Sequence, residues 1–431
     1  MILKSISLTN YRNFESYSIE LGQRTTMLIG RNGMGKTNLL SSMVQALSFI
    51  FSKQRDMPQT EFIRSSDQGV RRFAATDARY TTDYQYPNYI KGKALLANGQ
   101  RLDWGLEQEG RKSGLRDSKF RDAYLQFWKY YNREEEKPVL AFFSDGFPHK
   151  NTRLSAAMKE RLESGFPLPA NTGYYQWDQD QSCVEIWKRY YTQQWINGKL
   201  DGKAERIAFV EAIKEKLIEF SKPMEENLES DELTIEDLFA EMRNDQAVLM
   251  IKLAGKDTAV PFDSLPQGYN RLFSMVLDVA CRSYLLNGNC NPDGIVFIDE
   301  IEVHLHPTLA ISVLQRLRRS FERIQFIVST HSPLVITNFD QKGADEDNRL
   351  YQLTYEDGVY GSKRIDDVYG LDYNEGLTTV MMAQDRNRNM EEIKALYQYW
   401  KERDPHKAAL VAAKIRQEYS HNVNFIRELG L

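Results

Sequence analysis

Two stretches of this sequence carry residue types and spacings that could do chemistry on a phosphate group. The first is Gly30-Arg31-Asn32-Gly33-Met34-Gly35-Lys36-Thr37, which fits the pattern G-x-x-x-x-G-K-T. It follows an apolar, β-leaning run at 25–29 and precedes a helical pattern at 38–50, the strand, glycine loop and helix order of a phosphate-binding loop. Glycines let consecutive backbone N–H groups turn toward one anion, and the helix adds its positive N-terminus. Lys36 would then reach the β and γ phosphates of ATP and the Thr37 hydroxyl would hold Mg²⁺. Gly30, Arg31, Asn32, Gly33, Gly35 and Asn38 would line the same cradle. A chance glycine turn could fit the pattern, but loop, flanks and the Lys-Thr pair all agree.

The second stretch is Gly294-Ile295-Val296-Phe297-Ile298-Asp299-Glu300, an apolar run closed by two carboxylates. Such a run reads as a buried parallel strand that delivers acids at its C-terminal end, where open α/β sheets place ligands. Asp299 would hold Mg²⁺ through water, and Glu300 would act as general base on an attacking water. A further buried strand, 324–329, ends in Thr330-His331-Ser332-Pro333. Taken alone, a histidine after a strand is usually structural. Glu302, His304 and His306 have a spacing that could ligate zinc, although a turn opening the next helix at Pro307 suits them better. About 260 residues separate Thr37 from Asp299, which excludes a compact GTPase and calls for an inserted lobe.

The elements that must position these groups are unevenly legible. With 431 residues, 42% hydrophobic and 27% charged, the chain has room for two or three domains and a large core. A net charge of -4 does not announce a nucleic-acid binder, so any DNA contact must be a local patch. Cys183, Cys281 and Cys290 are too few and scattered for a disulfide framework, which fits a reducing cytoplasm. Neither a signal peptide nor an apolar run of membrane-helix length is apparent. Strands are expected at 2–8, 17–21 and 25–29, with a polar turn at 8–14. Between 52 and 263 the signals weaken. Edge strands are expected at 84–87 and within 94–104, turning at Asn98-Gly99. Residues 111–133 interleave Arg111, Lys112, Arg116, Lys119, Arg121, Lys129 and Arg133 with aromatic rings. That mixture can be a DNA surface of phosphate clamps and stacking rings, or a helix burying an aromatic stripe, since Phe120, Tyr124, Phe127 and Tyr131 recur at helical spacing. A buried strand is expected at 138–144, helical patterns over 205–243 broken at Lys222-Pro223 beside an acidic run at 225–232, a hairpin at 350–359, and helices near 390–402 and 404–419.

The opening Ile6-Ser7-Leu8-Thr9-Asn10-Tyr11-Arg12-Asn13-Phe14, followed closely by the glycine loop, resembles the ABC-type ATPases of the RecF, SMC and OLD group. The resemblance implies an α/β fold: an ABC-type ATPase core with a β-lobe, a helical insertion and a short helical C-terminal tail. Its parts would be residues 1–149 and 246–340 for the core, 150–245 for the insertion and 341–431 for a partner-binding tail. It further implies that Arg12 and Asn13 lie near the phosphates, that His331 senses the γ-phosphate, and that Glu302 to Pro307 turns at a dimer seam. A Leu-Ser-x-Gly signature should complete the site from the opposing subunit, through Gln267 and Gly268. Here the chain reads Leu265-Pro266-Gln267-Gly268, so the serine hydroxyl is missing. The tail shows no D-x-D after a strand and is too short for an OLD-type nuclease domain. It is similar to the Septu ATPases (PtuA) of two-gene anti-phage systems, which work beside an HNH-type nuclease. That implies a head-to-tail homodimer or higher oligomer in the cytoplasm, with ATP and Mg²⁺, and no membrane. A RecF-like DNA repair ATPase and a PARIS-like nucleotide-gated scaffold with little turnover are the alternatives.

Overall fold

Strand β1 (Ile2–Tyr11) turns through Arg12-Asn13 into β2 (Phe14–Glu20), and β3 (Thr25–Ile29) leads through the glycine loop into α1 (Lys36–Leu47). The computed structural model describes residues 1–51, 75–81, 83–111, 113, 119–131, 136–148, 156–164, 167–178, 184–224, 233–244, 246–341, 347–380, 388–419 and 422–431. Lys112, Arg116, Arg133, Cys183 and the acidic run 225–232 fall outside the described residues. Chain contacts divide the protein into two units, Met1–Gly370 and Leu371–Leu431.

In the first unit a hairpin of β4 (Asn88–Leu95) and β5 (Arg101–Gln108) is followed by α2 (Arg121–Tyr131) and β6 (Val139–Phe143). Then come α3 (Ala156–Ser164), α4 (Val184–Asp201), α5 (Ala204–Ser221), and the strands β7 (Ile235–Arg243), β8 (Gln246–Leu253) and β9 (Val260–Pro261). The chain continues through α6 (Gln267–Asn287), β10 (Gly294–Ile298), α7 (Pro307–Ser320), β11 (Ile324–Ser329) and α8 (Pro333–Thr337). A hairpin of β12 (Asn348–Glu356) and β13 (Val359–Ile365) completes it.

The central sheet has the order β13-β12-β3-β11-β10-β6. From β12 to β6 it is parallel, and β13 is an antiparallel edge. Every residue of β3, β6, β10 and β11 is buried, which is why these segments read as unbroken apolar runs rather than alternating ones: both faces are covered. Pairing of Ile298 with Val328 and of Ser329 with Leu28 brings the C-terminal ends of β10, β11 and β3 to one edge. A second, antiparallel sheet, β2-β1-β4-β5, is the expected β-lobe.

Several boundaries differ from the sequence reading, each for a local reason. The polar turn expected at 8–14 shrinks to Arg12-Asn13, because Asn10 and Arg12 enter the left-handed region (φ 48° and 49°) and Tyr11 still pairs with Phe14. Residues 84–87 form no strand; Tyr84 makes one isolated bridge to Tyr80, and β4 begins after Pro87. Residues 235–243, expected to be helical, are β7, paired with β8 in a separate antiparallel sheet. A β-bulge between Ile235 and Asp237 puts buried Ile235 and Leu238 three apart, which imitates a helical period. Between β6 and β10 the described residues therefore hold both helices and strands, and the central sheet resumes only at β10. The β12–β13 hairpin joins the central sheet instead of the tail. In α2, Phe127 and Tyr131 are fully buried and the Trp128 indole N–H donates to the Ile50 carbonyl at 2.8 Å, so the aromatic stripe is core and not a stacking surface.

The second unit comprises the single turn α9 (Tyr373–Glu375), α10 (Arg388–Lys401), α11 (Pro405–Glu418) and α12 (Val423–Leu429), the last not foreseen. Asp372, Asp404 and Asn422 cap α9, α11 and α12 with their side chains, and Ile393, Tyr397, Ile415, Phe425 and Leu429 form a small core. No helix among the described residues is long and apolar enough to cross a membrane.

Candidate functional site

Beyond Ile29 the backbone adopts conformations that L side chains rarely enter: φ is 143° at Gly30, 81° at Gly33 and 90° at Gly35. Space is also short at two of them. A Cβ at Gly30 would lie 2.9 Å from the Leu353 carbonyl of β12, and one at Gly35 would lie 2.5 Å from Asn13 Nδ2. Gly35→Ala is expected to weaken ADP binding about tenfold, since a left-handed alanine alone costs roughly 1–2 kcal/mol; calorimetric titration checks this. Lys36 is buried, and its ammonium donates to the carbonyls of Gly30 (2.8 Å) and Arg31 (3.2 Å), folded over the loop it closes. Burial holds its pKa below the ordinary lysine range, against the pull of Asp299, Glu300 and Glu302. Arg31, Asn32 and Gly33 face solvent.

The Thr37 hydroxyl donates to Asp299 Oδ2 at 2.7 Å, joining loop and acid strand across 262 residues. These are hard oxygen donors side by side, and the set fits Mg²⁺, which takes one or two protein oxygens and completes its shell with waters and phosphates. The other oxygen of Asp299, Oδ1, accepts from the Ser329 hydroxyl, and Ser329 Oγ in turn accepts from the Glu300 N–H at 2.8 Å. Glu300 stands in the left-handed region with φ 48°. Its carboxyl is raised above the usual carboxylate range by burial first, then by Asp299, Glu302 and Asp145.

Glu302 accepts from the Thr330 hydroxyl (2.7 Å) and the His331 N–H (2.5 Å), so its carboxylate is committed to the end of β11. His304 and His306 are exposed, with His306 Nδ1 3.1 Å from Thr308 Oγ1 at the start of α7; among the described residues no metal-binding cluster of His, Cys, Asp and Glu is assembled. His331 is half-buried, and burial followed by the nearby Lys36 charge lowers its pKa below the ordinary histidine value, which favours the neutral ring.

Asn38, on the first turn of α1, draws the Arg12-Asn13 turn toward the loop: Arg12 Nη1 donates to Asn38 Oδ1 at 2.9 Å, and Asn38 Nδ2 donates to Asn13 Oδ1 at 2.9 Å. Arg12 is also paired with Asp77 at 3.0 Å, a partner with no sequence signal. Gln267 and Gly268 start α6 elsewhere, against the turn that follows Glu300. A Cβ on Gly268 would meet the His304 carbonyl at 2.6 Å, while Pro266 and Gln267 are exposed.

Sequence reasoning missed two residues. Ser329 looked like the plain end of a strand. Arg271 is fully buried and donates to the carbonyls of Asp145 (2.9 Å), Phe147 (2.6 Å), Asp299 (3.2 Å) and Glu300 (3.3 Å). Its one signal was an arginine directly before the apolar run that opens at Leu272.

The Retron Vc95 probable ATPase of Vibrio cholerae serotype O1 biovar El Tor is 24% identical over 387 residues, 78% of this chain and 71% of that protein. The Septu protein PtuA of Bacillus mycoides is 39% identical over 72 residues, only 17% of this chain and 10% of that one. Among solved structures, the SMC head domain from Thermotoga maritima aligns with a TM-score of 0.42 at 14% identity, over 85% of this chain and 100% of that one. Residues 25–337, from the phosphate-loop strand to α8, match the family described as "AAA domain, putative AbiEii toxin, Type IV TA system", and the chain belongs to this family of AAA-type ATPase domains.

Proposed function

We propose that this chain binds ATP with Mg²⁺, hydrolyses it slowly, and uses the cycle to sense infection and license a separate nuclease in bacterial anti-phage defence. The observation that carries the hydrolytic part is the convergence of Lys36, Thr37, Asp299 and Glu300 at one sheet edge, with Thr37 and Asp299 262 positions apart in the chain. Thr37 and Asp299 would hold Mg²⁺, which when bound neutralises charge on the phosphates. Lys36 leaves its loop carbonyls for the β and γ phosphates, and Asn38, Arg12 and Asn13 shape the wall beside them. Glu300 takes the proton of the attacking water, and neutral His331 orients that water or the γ-phosphate through its ring nitrogen. Gln267 and Gly268 act in trans, in a head-to-tail homodimer. Pro266 has no hydroxyl to offer there, which is the reason for slow turnover.

The nuclease role draws on the resemblance to Septu ATPases noted in the sequence, beside the similarity to the retron and Septu proteins given above. Expression of the Lys36→Ala chain in the native host should abolish protection from phage, scored by plaque counts, and a gentle purification of the parent should bring an HNH-type nuclease with it. Full protection by Lys36→Ala would sink the reading. Pro266 also favours a second possibility, a nucleotide-gated scaffold; in that case Glu300→Gln would keep protection.

A further inference from the structure

Beneath the site lies one hydroxyl that joins the carboxylate of Asp299 to the backbone N–H of Glu300. Ser329 is the last residue of β11 and is fully buried. A serine hydroxyl has one proton to give and two lone pairs to offer. Here the proton goes to Asp299 Oδ1 and a lone pair receives the Glu300 N–H at 2.8 Å. The backbone of the same residue holds the next position as well, since the Ser329 carbonyl accepts from the Ile301 N–H at 3.1 Å. Glu300 needs such restraint, because its left-handed backbone persists only where the surroundings enforce it.

We infer that Ser329 is a positioning residue which sets the metal-holding Asp299 and the water-activating Glu300 relative to one another. The inference rests on the hydrolytic reading proposed above. A small side chain in a tight strand end could serve packing alone, and alanine would then replace it without loss. What packing does not require is a hydroxyl shared between two neighbouring site residues. Removing it leaves Glu300 without an acceptor for its amide and frees the Asp299 carboxylate to rotate away from the Thr37 side.

The test uses the full chain and the variants Ser329→Ala and Ser329→Thr, with ATP turnover, ADP affinity and amide exchange of a peptide containing Glu300 measured on each. Ser329→Ala should lower kcat about 10- to 100-fold, the usual cost of losing an outer-shell partner. KM and ADP affinity should hardly move, Glu300 exchange should quicken, and Ser329→Thr, which keeps the hydroxyl, should recover most of the rate. A kcat for Ser329→Ala equal to the parent's, or a threonine variant that folds yet is no better than alanine, overturns the inference. If the parent itself shows no turnover, the hydrolytic reading fails. The exchange rate then decides alone: faster in Ser329→Ala supports the clamp, unchanged refutes it.

Discussion

Glu300→Gln is expected to lower ATP turnover by about 10²- to 10⁴-fold, the usual contribution of a general base, while ATP stays bound. The substitution keeps the side chain's size and leaves its amide on Ser329, so the geometry survives and only the ability to take a proton is lost. The two carboxylates nearest to it in sequence are already committed. Asp299 is engaged by Thr37 and Ser329, and Glu302 is engaged by Thr330 and the His331 amide. Phosphate release gives the rate, and chromatography of the denatured protein shows which nucleotide it retained. Turnover close to the parent's would move the base role away from Glu300.

Arg271→Met should destabilise the first unit by about 3 kcal/mol or more, because carbonyls buried without a donor each cost roughly 1–3 kcal/mol. The methionine fills similar space but leaves the Asp145, Phe147 and Asp299 carbonyls without their guanidinium, while the Glu300 carbonyl keeps the Val303 N–H at 3.1 Å. Burial brings the Arg271 pKa down to about 10, so the group is still charged at neutral pH and its hydrogen bonds are charge-assisted. Arg271→Lys should recover only part of the loss, since one ammonium cannot reproduce a planar fork that spans two loops. Thermal unfolding of the three proteins tests both statements, and equal melting temperatures for parent and Arg271→Met would refute them.

What could be read from sequence followed a physical divide. Buried parallel strands announce themselves as unbroken apolar runs, so 25–29, 139–143, 294–298 and 324–329 were legible, as were the loop and acids at their ends. Half-exposed antiparallel strands carry a weaker code, and in β7 a bulge after Ile235 broke its alternation into a helical spacing. The hairpin at Asp357-Gly358 was evident from its turn residues, but its pairing with β3 depends on a partner more than three hundred residues away. Polar residues beneath the site were illegible for a similar reason. The roles of Ser329 and Arg271 reside in contacts with Asp299 and Glu300, about 30 positions distant, and nothing local in the chain marks them.

The placement of β3 has a consequence for how the protein is made. This strand carries the phosphate loop, yet both of its neighbours arrive late: β11 supplies residues 326–329 and β12 residues 348–352. While the chain is emerging from the ribosome, the strand behind the Lys36 loop has no neighbour in the central sheet until Ser329 has cleared the exit tunnel, and its second arrives only with Gln352. The β-lobe can assemble early from β1, β2, β4 and β5, whereas the strand that follows β2 must wait. Assembly of the phosphate site is thereby deferred until nearly the whole first unit has been translated, and a nascent or prematurely terminated chain holds no completed site.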